Sequence, residues 1–167
     1  MLAPNGVPAR PLDIDELITV VRLTAEHVGR WRFPLRFPIA SRWRTRLGGH
    51  DNLDVWLQTW PTGEATQLHD HGNSAAAYTV IAGSLLEVRV RRPGQQIRSV
   101  VQVGESVWVP PRVVHDVTNI RRTPAVSIHA YSPPLQEMTF YRAGATGLTP
   151  LRRQVPTTPG WEGRHVG

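Results

Sequence analysis

Two hydrophobic periods divide this chain. Between Leu12 and Val28, the apolar residues Ile14, Leu17, Ile18, Val21, Ala25 and Val28 recur at helical spacing, which predicts an amphipathic helix over about 13–28. Asp13 is placed as its N-cap, with Glu16 three residues on as the capping-box partner. Leu12 and Leu17 suit a hydrophobic staple, and Gly29 suits the C-terminal end. His27 reads as a surface residue. From Asn52 onward the period becomes two. Strands are predicted over 54–60, 77–81, 86–91, 97–103, 107–109, 113–119, 125–131 and 138–141, with turn residues such as Pro61-Thr62-Gly63 and Ala82-Gly83-Ser84 between them. The segment Leu86-Glu-Val-Arg-Val-Arg91 alternates cleanly, which predicts one buried and one wet face. Short strands at this spacing indicate an all-β sandwich or small barrel, with the helix packed outside it. Periodicity fades from about Gly144. Residues 1–143 therefore read as a single domain and 144–167 as a loosely structured C-terminal tail, to which Trp161 and His165 belong.

Composition narrows the class. The chain has 167 residues, 40% hydrophobic and 19% charged, as expected of one globular domain. Cysteine is absent, which excludes disulfides and thiolate metal sites. The N-terminal residues show no apolar signal region and no apolar run approaches 18 residues, so neither export nor a membrane partner is expected, and a cytoplasmic location is. Net charge is +6 and every basic residue is arginine. Arg30, Arg32, Arg36, Arg42, Arg44 and Arg46 cluster among Trp31, Phe33, Phe37 and Trp43. Such a patch can serve nucleic acid. No nucleic-acid motif accompanies it, so no nucleic-acid partner is expected and the plainer reading is a solvated surface.

The candidate chemistry lies in two stretches: Gly63-x5-His69-Asp70-His71-x4-Ala76-x6-Gly83, and Gly104-x5-Pro110-x-Arg112-x2-His115-x3-Asn119. On a strand, His69 and His71 point to one face while Asp70 points away. His115, on a second strand, is positioned to join them in a barrel. Three imidazoles suit zinc, copper, iron or nickel. In register, the two stretches resemble the two motifs of the cupin superfamily, which implies a small jelly-roll β-barrel. Arg112 stands where that pattern usually has glycine. Ala76 stands where many cupins carry a glutamate ligand. The ligand set therefore stops at three neutral donors, which favours an anionic, chelating substrate and leaves room for a small second ligand such as dioxygen.

A second constellation is Ser127-Ile-His129-Ala-Tyr131, whose alternation puts Ser, His and Tyr on one face of a strand. No carboxylate alternates with them, so this is not a nucleophile triad. Together with the three histidines and the following Ser132-Pro133-Pro134-Leu135, it resembles the cysteine dioxygenase family of thiol dioxygenases. The resemblance implies Fe(II) on His69, His71 and His115, a Ser127-His129-Tyr131 relay, and oxidation of a small-molecule thiol by O2 to a sulfinate. Animal members carry a cysteine near the Ala76 position that cross-links to the tyrosine. This chain has none, so it resembles the bacterial branch with Tyr131 a free phenol. The resemblance also implies an arginine for the substrate carboxylate, with Arg46 the first match and Arg44 the second. The alternatives are a dioxygenase of another thiol acid such as 3-mercaptopropionate, or a non-enzymatic metal-binding cupin.

Overall fold

The computed structural model describes residues 10–29, 42–92 and 95–155. One helix precedes eleven strands: α1 (Ile14–Gly29), β1 (Arg44–His50), β2 (Leu53–Trp60), β3 (His69–Asp70), β4 (Ala75–Ala82), β5 (Ser84–Arg92), β6 (Gln95–Gln102), β7 (Ser106–Val109), β8 (His115–Thr118), β9 (Ala125–Ser132), β10 (Met138–Gly144) and β11 (Gly147–Gln154). The strands form two sheets, ordered β1-β2-β9-β4-β7 and β11-β10-β3-β8-β5-β6. Every pair of neighbouring strands in both sheets is antiparallel.

The helix forms for the reasons its sequence gives. Glu16 N–H donates to Asp13 Oδ1 at 3.0 Å and Asp13 N–H donates to Glu16 Oε2 at 2.9 Å, a reciprocal capping box. Its apolar face delivers Leu17, Val21 and Val28, all essentially inaccessible to water, onto the outer face of the first sheet. Each such burial contributes about 1.5–3 kcal/mol. Alternate residues of β9 divide between two cores. Val126, Ile128 and Ala130 meet the helix, while Ala125 and Tyr131 join Trp60, Ala76, Leu85 and Val117, a core that draws on both sheets and fills the barrel. That split explains why every residue of β9 is buried.

Two turns set the site. Gly83 joins the sheets between β4 and β5 at φ +71°, and a Cβ there would lie 2.7 Å from the Pro124 carbonyl oxygen, so only glycine fits. Arg112 takes φ +61°, the left-handed conformation that costs an L-residue roughly 1–2 kcal/mol. Its N–H donates to the Gly72 carbonyl at 3.0 Å and its guanidinium to Asn73 Oδ1 at 2.9 Å. These bonds keep the turn without the usual glycine.

Three sequence expectations change. Arg44–His50 is a strand, hidden because its arginines and glycines mask the alternation. Residues from Gly144 do not trail off as a loose tail: Gly147–Gln154 returns as β11, paired with β10 through Thr149 and Pro150. The strand lies at the sheet edge, where a proline that lacks an N–H is tolerated. Residues 156–167, with Trp161 and His165, lie outside the described residues. Finally, the polar face of β5 is not wet at its start. Glu87 is 4% exposed and faces inward with Leu85. Among the described residues no helix is long and apolar enough to cross a membrane.

Candidate metal centre

His69 opens β3, and His71 follows where the chain leaves that strand. His115 opens β8 and is paired directly with His69 across the sheet. The three residues are at most 3% exposed, and their candidate ligand nitrogens lie within 4.8 Å of one another. His69 Nε2 and His71 Nε2 are 3.1 Å apart. Two nitrogens each about 2.1 Å from one ion, at a right angle, stand about 3 Å apart.

Protons are already allotted at two of the three rings. His69 Nδ1 donates to the Gln67 carbonyl at 2.8 Å, and His115 Nδ1 donates to the Glu87 carboxylate at 3.0 Å. Both partners are acceptors only, which draws the Nδ1 proton to them and, in the neutral ring, leaves Nε2 as the ligand nitrogen. His115 Nε2 is buried with no hydrogen-bond partner. An orphaned lone pair that faces two more imidazoles is costly unless a cation takes it. Burial, and then the neighbouring histidines, hold His69 and His71 well below the ordinary histidine range. His69 and His71 are therefore neutral at physiological pH, and the donor set fits a divalent transition metal.

Gln67 sits at φ +67°, a strained conformation that accompanies its carbonyl's contact with His69. Asp70 points away from the cluster. It accepts the Gly72 N–H at 2.9 Å and the Tyr141 hydroxyl at 2.6 Å, which braces the turn that places His71. Glu87 is held by Arg89 through Nε at 3.0 Å and Nη2 at 3.2 Å, and Arg89 is itself anchored on the Trp108 carbonyl. Burial alone would raise the Glu87 carboxyl. His115 and Arg89 outweigh burial and keep it below the usual range, hence ionised.

The histidines floor a cleft that Arg42, Arg44, Gln58, Ala76, His129 and Tyr131 also line, with Trp60, Val109, Met138 and Phe140 as apolar walls. Ala76 is directly opposite Tyr131 in the β4–β9 ladder, so a methyl group and a phenol occupy neighbouring positions inside the barrel. The Tyr131 ring stands edge-on to His71, 5.2 Å between centroids. Burial raises its phenol, opposed by Arg44, Arg42 and a hydrogen bond with Gln58.

Ser127, His129 and Tyr131 do share the inner face. Ser127 Oγ accepts the Trp60 indole N–H at 2.8 Å and is hydrogen-bonded to His129 Nε2 at 2.8 Å. His129 stacks on Tyr78 at 5.0 Å. Its ring lies 6.4 Å from Tyr131, stacked rather than joined by a hydrogen bond.

The two sequence-chosen arginines divide. Arg44 lines the cleft, opposite Gln58 in the β1–β2 ladder. Arg46 does not: it lies beside the β1 bulge, 44% exposed, with its guanidinium paired to Asp54. Arg42, unmarked in the sequence as a site residue, lines the cleft instead. It donates to Gln58 Oε1 at 2.9 Å and lies 4.4 Å from the Trp60 ring centroid. Burial lowers its affinity for its proton without neutralising a guanidinium. Two of the described arginines of the basic stretch thus line the cleft. Arg30, Arg32 and Arg36 lie outside the described residues. Gln67, Glu87 and Gln58 are further site residues with no motif of their own in the sequence.

Residues 7–143 match the family model described as cysteine dioxygenase type I. Cysteine dioxygenase type 1 of Homo sapiens is 30% identical over 95 residues, covering 52% of this chain and 48% of that protein. The Bos taurus protein of the same description is 23% identical over 133 residues, covering 74% of this chain and 66% of that one. The chain thus matches about half to two thirds of the length of these curated relatives. A solved structure of oxalate oxidase superposes with a TM-score of 0.53 at 17% identity, covering 65% of this chain and 58% of that one, a likeness of fold alone.

Proposed function

We propose that this chain, which belongs to the cysteine dioxygenase type I family, is a non-haem Fe(II) dioxygenase that converts cysteine and O2 to cysteine sulfinate in the cytoplasm. The observation that carries the proposal is the buried cluster of three histidines with a methyl group, not a carboxylate, beside it. Bound to His69, His71 and His115, the ion would hold the thiolate and activate dioxygen, and its uncompensated charge favours an anionic ligand. The reaction balances as one thiolate plus one dioxygen giving one sulfinate.

The protein's own groups have five tasks. Gln67 and Glu87 hold the Nδ1 protons of His69 and His115, so that both rings present Nε2. Arg44, which lines the cleft together with Arg42, offers the substrate carboxylate a guanidinium fork. Tyr131 stays protonated at working pH and donates its hydroxyl hydrogen toward the reacting end of the substrate. Ser127 and Trp60 fix His129, whose ring backs the Tyr131 side of the cleft. Trp60, Val109 and Phe140 keep bulk water from the reacting atoms.

Oxygen uptake by the iron-loaded protein, measured against cysteine, 3-mercaptopropionate and a thiol without a carboxylate, tests the reading. Uptake with cysteine above the other two, and sulfinate as product, supports it. Uptake that prefers 3-mercaptopropionate moves the substrate to that acid, and no uptake with any thiol leaves a metal-binding cupin without this activity.

A further inference from the structure

The three candidate ligands are not equivalent. Behind His69 stands a neutral carbonyl, Gln67, at 2.8 Å. Behind His71, Nδ1 is buried with no hydrogen-bond partner. Behind His115 stands a carboxylate, Glu87, at 3.0 Å, with both side chains 4% exposed. A buried anion on Nδ1–H pushes electron density through the ring to Nε2, and low dielectric strengthens that effect.

Glu87 is not simply the partner of a stray arginine. Arg89 forks onto it, but Arg89 is also tied to the Trp108 carbonyl and is 26% exposed. Glu87 is the more deeply buried of the pair, and one of its oxygens, Oε1, is directed to the imidazole. A carboxylate at this depth carries a desolvation cost of several kcal/mol, offset only by well-placed partners. A charged group retained at that cost, next to the apolar cluster of Trp60, Leu85, Val101 and Val117, needs a reason.

We infer that Glu87 is a positioning residue that makes His115 the strongest donor of the three histidines, and that it supplies from behind that ring the negative charge which Ala76 withholds from the front. The inference rests on the metal reading proposed above. It gives the centre a built-in asymmetry, one ring backed by an anion and two not, and the charge of Glu87 would favour the higher oxidation state of a bound ion. Arg89 moderates the same charge. It draws density from Glu87, so the two residues act on the centre with opposite sign.

Glu87→Gln tests this directly, because the amide oxygen still accepts from His115 Nδ1 while the charge is gone. Iron affinity is read by anaerobic competition with a chromogenic Fe(II) chelator, and the Fe(III)/Fe(II) midpoint potential by spectroelectrochemical titration. Glu87→Gln should weaken iron binding by about 10–100-fold and raise the potential. Arg89→Met, at a more exposed position and with Glu87 intact, should lower the potential. A purely structural role would give the two variants no such opposed shifts, and Arg89→Met still carries the test if Glu87→Gln does not fold. Unmoved potentials, or shifts of the same sign, overturn the role of Glu87 while leaving the metal site standing. A wild-type protein that takes up no Fe(II) overturns the metal reading and this inference with it.

Discussion

Ala76 and Tyr131 are cross-strand neighbours on the inner face of the barrel, a methyl group set against a phenol above three histidines. Under the proposed function, the pairing leaves a small side chain where a carboxylate could otherwise reach the three histidines. Ala76→Glu should fill that position. Without metal, an unpaired carboxylate at a position 2% exposed should destabilise the fold by about 3–5 kcal/mol. Added Fe(II) should restore much of that loss while thiol-dependent oxygen uptake disappears. Thermal unfolding with and without metal checks both parts; a variant that keeps full thiol oxidation would show that the Ala76 position does not border the reacting ligands.

Tyr131→Phe separates the phenol from the metal. The hydroxyl contacts no candidate ligand nitrogen, so metal content should match the wild type, while turnover falls on the order of a hundredfold, the usual loss for a positioned proton donor. His115→Ala should do the reverse and strip the metal. Metal analysis of both proteins decides: iron lost from Tyr131→Phe, or retained in full by His115→Ala, reverses the roles given to these residues.

The two arginines give a paired test. Arg44→Gln should raise KM for the thiol acid by roughly tenfold to a hundredfold, the value of about 1.5–3 kcal/mol for a hydrogen bond to a charged group. Arg46→Gln should leave KM unchanged, because its guanidinium is spent on Asp54 away from the cleft. Steady-state kinetics on both variants would reject this assignment if Arg46→Gln raised KM as much as Arg44→Gln.

Much of this site was legible because a period of two is a strong signal. It put Ser127, His129 and Tyr131 on one face of β9 and His69 with His71 on one face, while the resemblance to the cupin motifs joined His115 to that pair. The helix was legible to its capping box, because Asp13 and Glu16 act locally. What escaped depends on partners distant in the chain. Glu87 alternates like a solvated residue, and only the β5–β8 ladder brings it to His115. Arg44 and Arg46 are two residues apart in one regular stretch of strand, and it is the distant Asp54, paired to the Arg46 guanidinium, that separates their fates. β11 was hidden because an edge strand with Pro150 and mostly exposed side chains carries little hydrophobic period.

The helix cap carries a pH signature independent of the metal. The Arg10 guanidinium, 2.7 Å from both Glu16 oxygens, and the Asp13 amide hold the Glu16 carboxyl down at about 2, from an ordinary value of 4.5. A depressed folded value means that this contribution is complete above about pH 4.5 and is lost as pH falls toward about 2. Glu16→Gln should therefore flatten the acid limb of the stability curve in that window. Denaturant titrations that give parallel curves for both proteins between those values would show that the cap is not formed in solution.

Isotope-labelled dioxygen tests the central claim most directly. The iron-loaded protein, given cysteine under heavy-isotope O2 in ordinary water, should release a sulfinate in which both oxygens are labelled, as read by mass spectrometry. A sulfinate with one labelled oxygen or none, or a disulfide as the only product, would contradict a dioxygenase built on His69, His71 and His115.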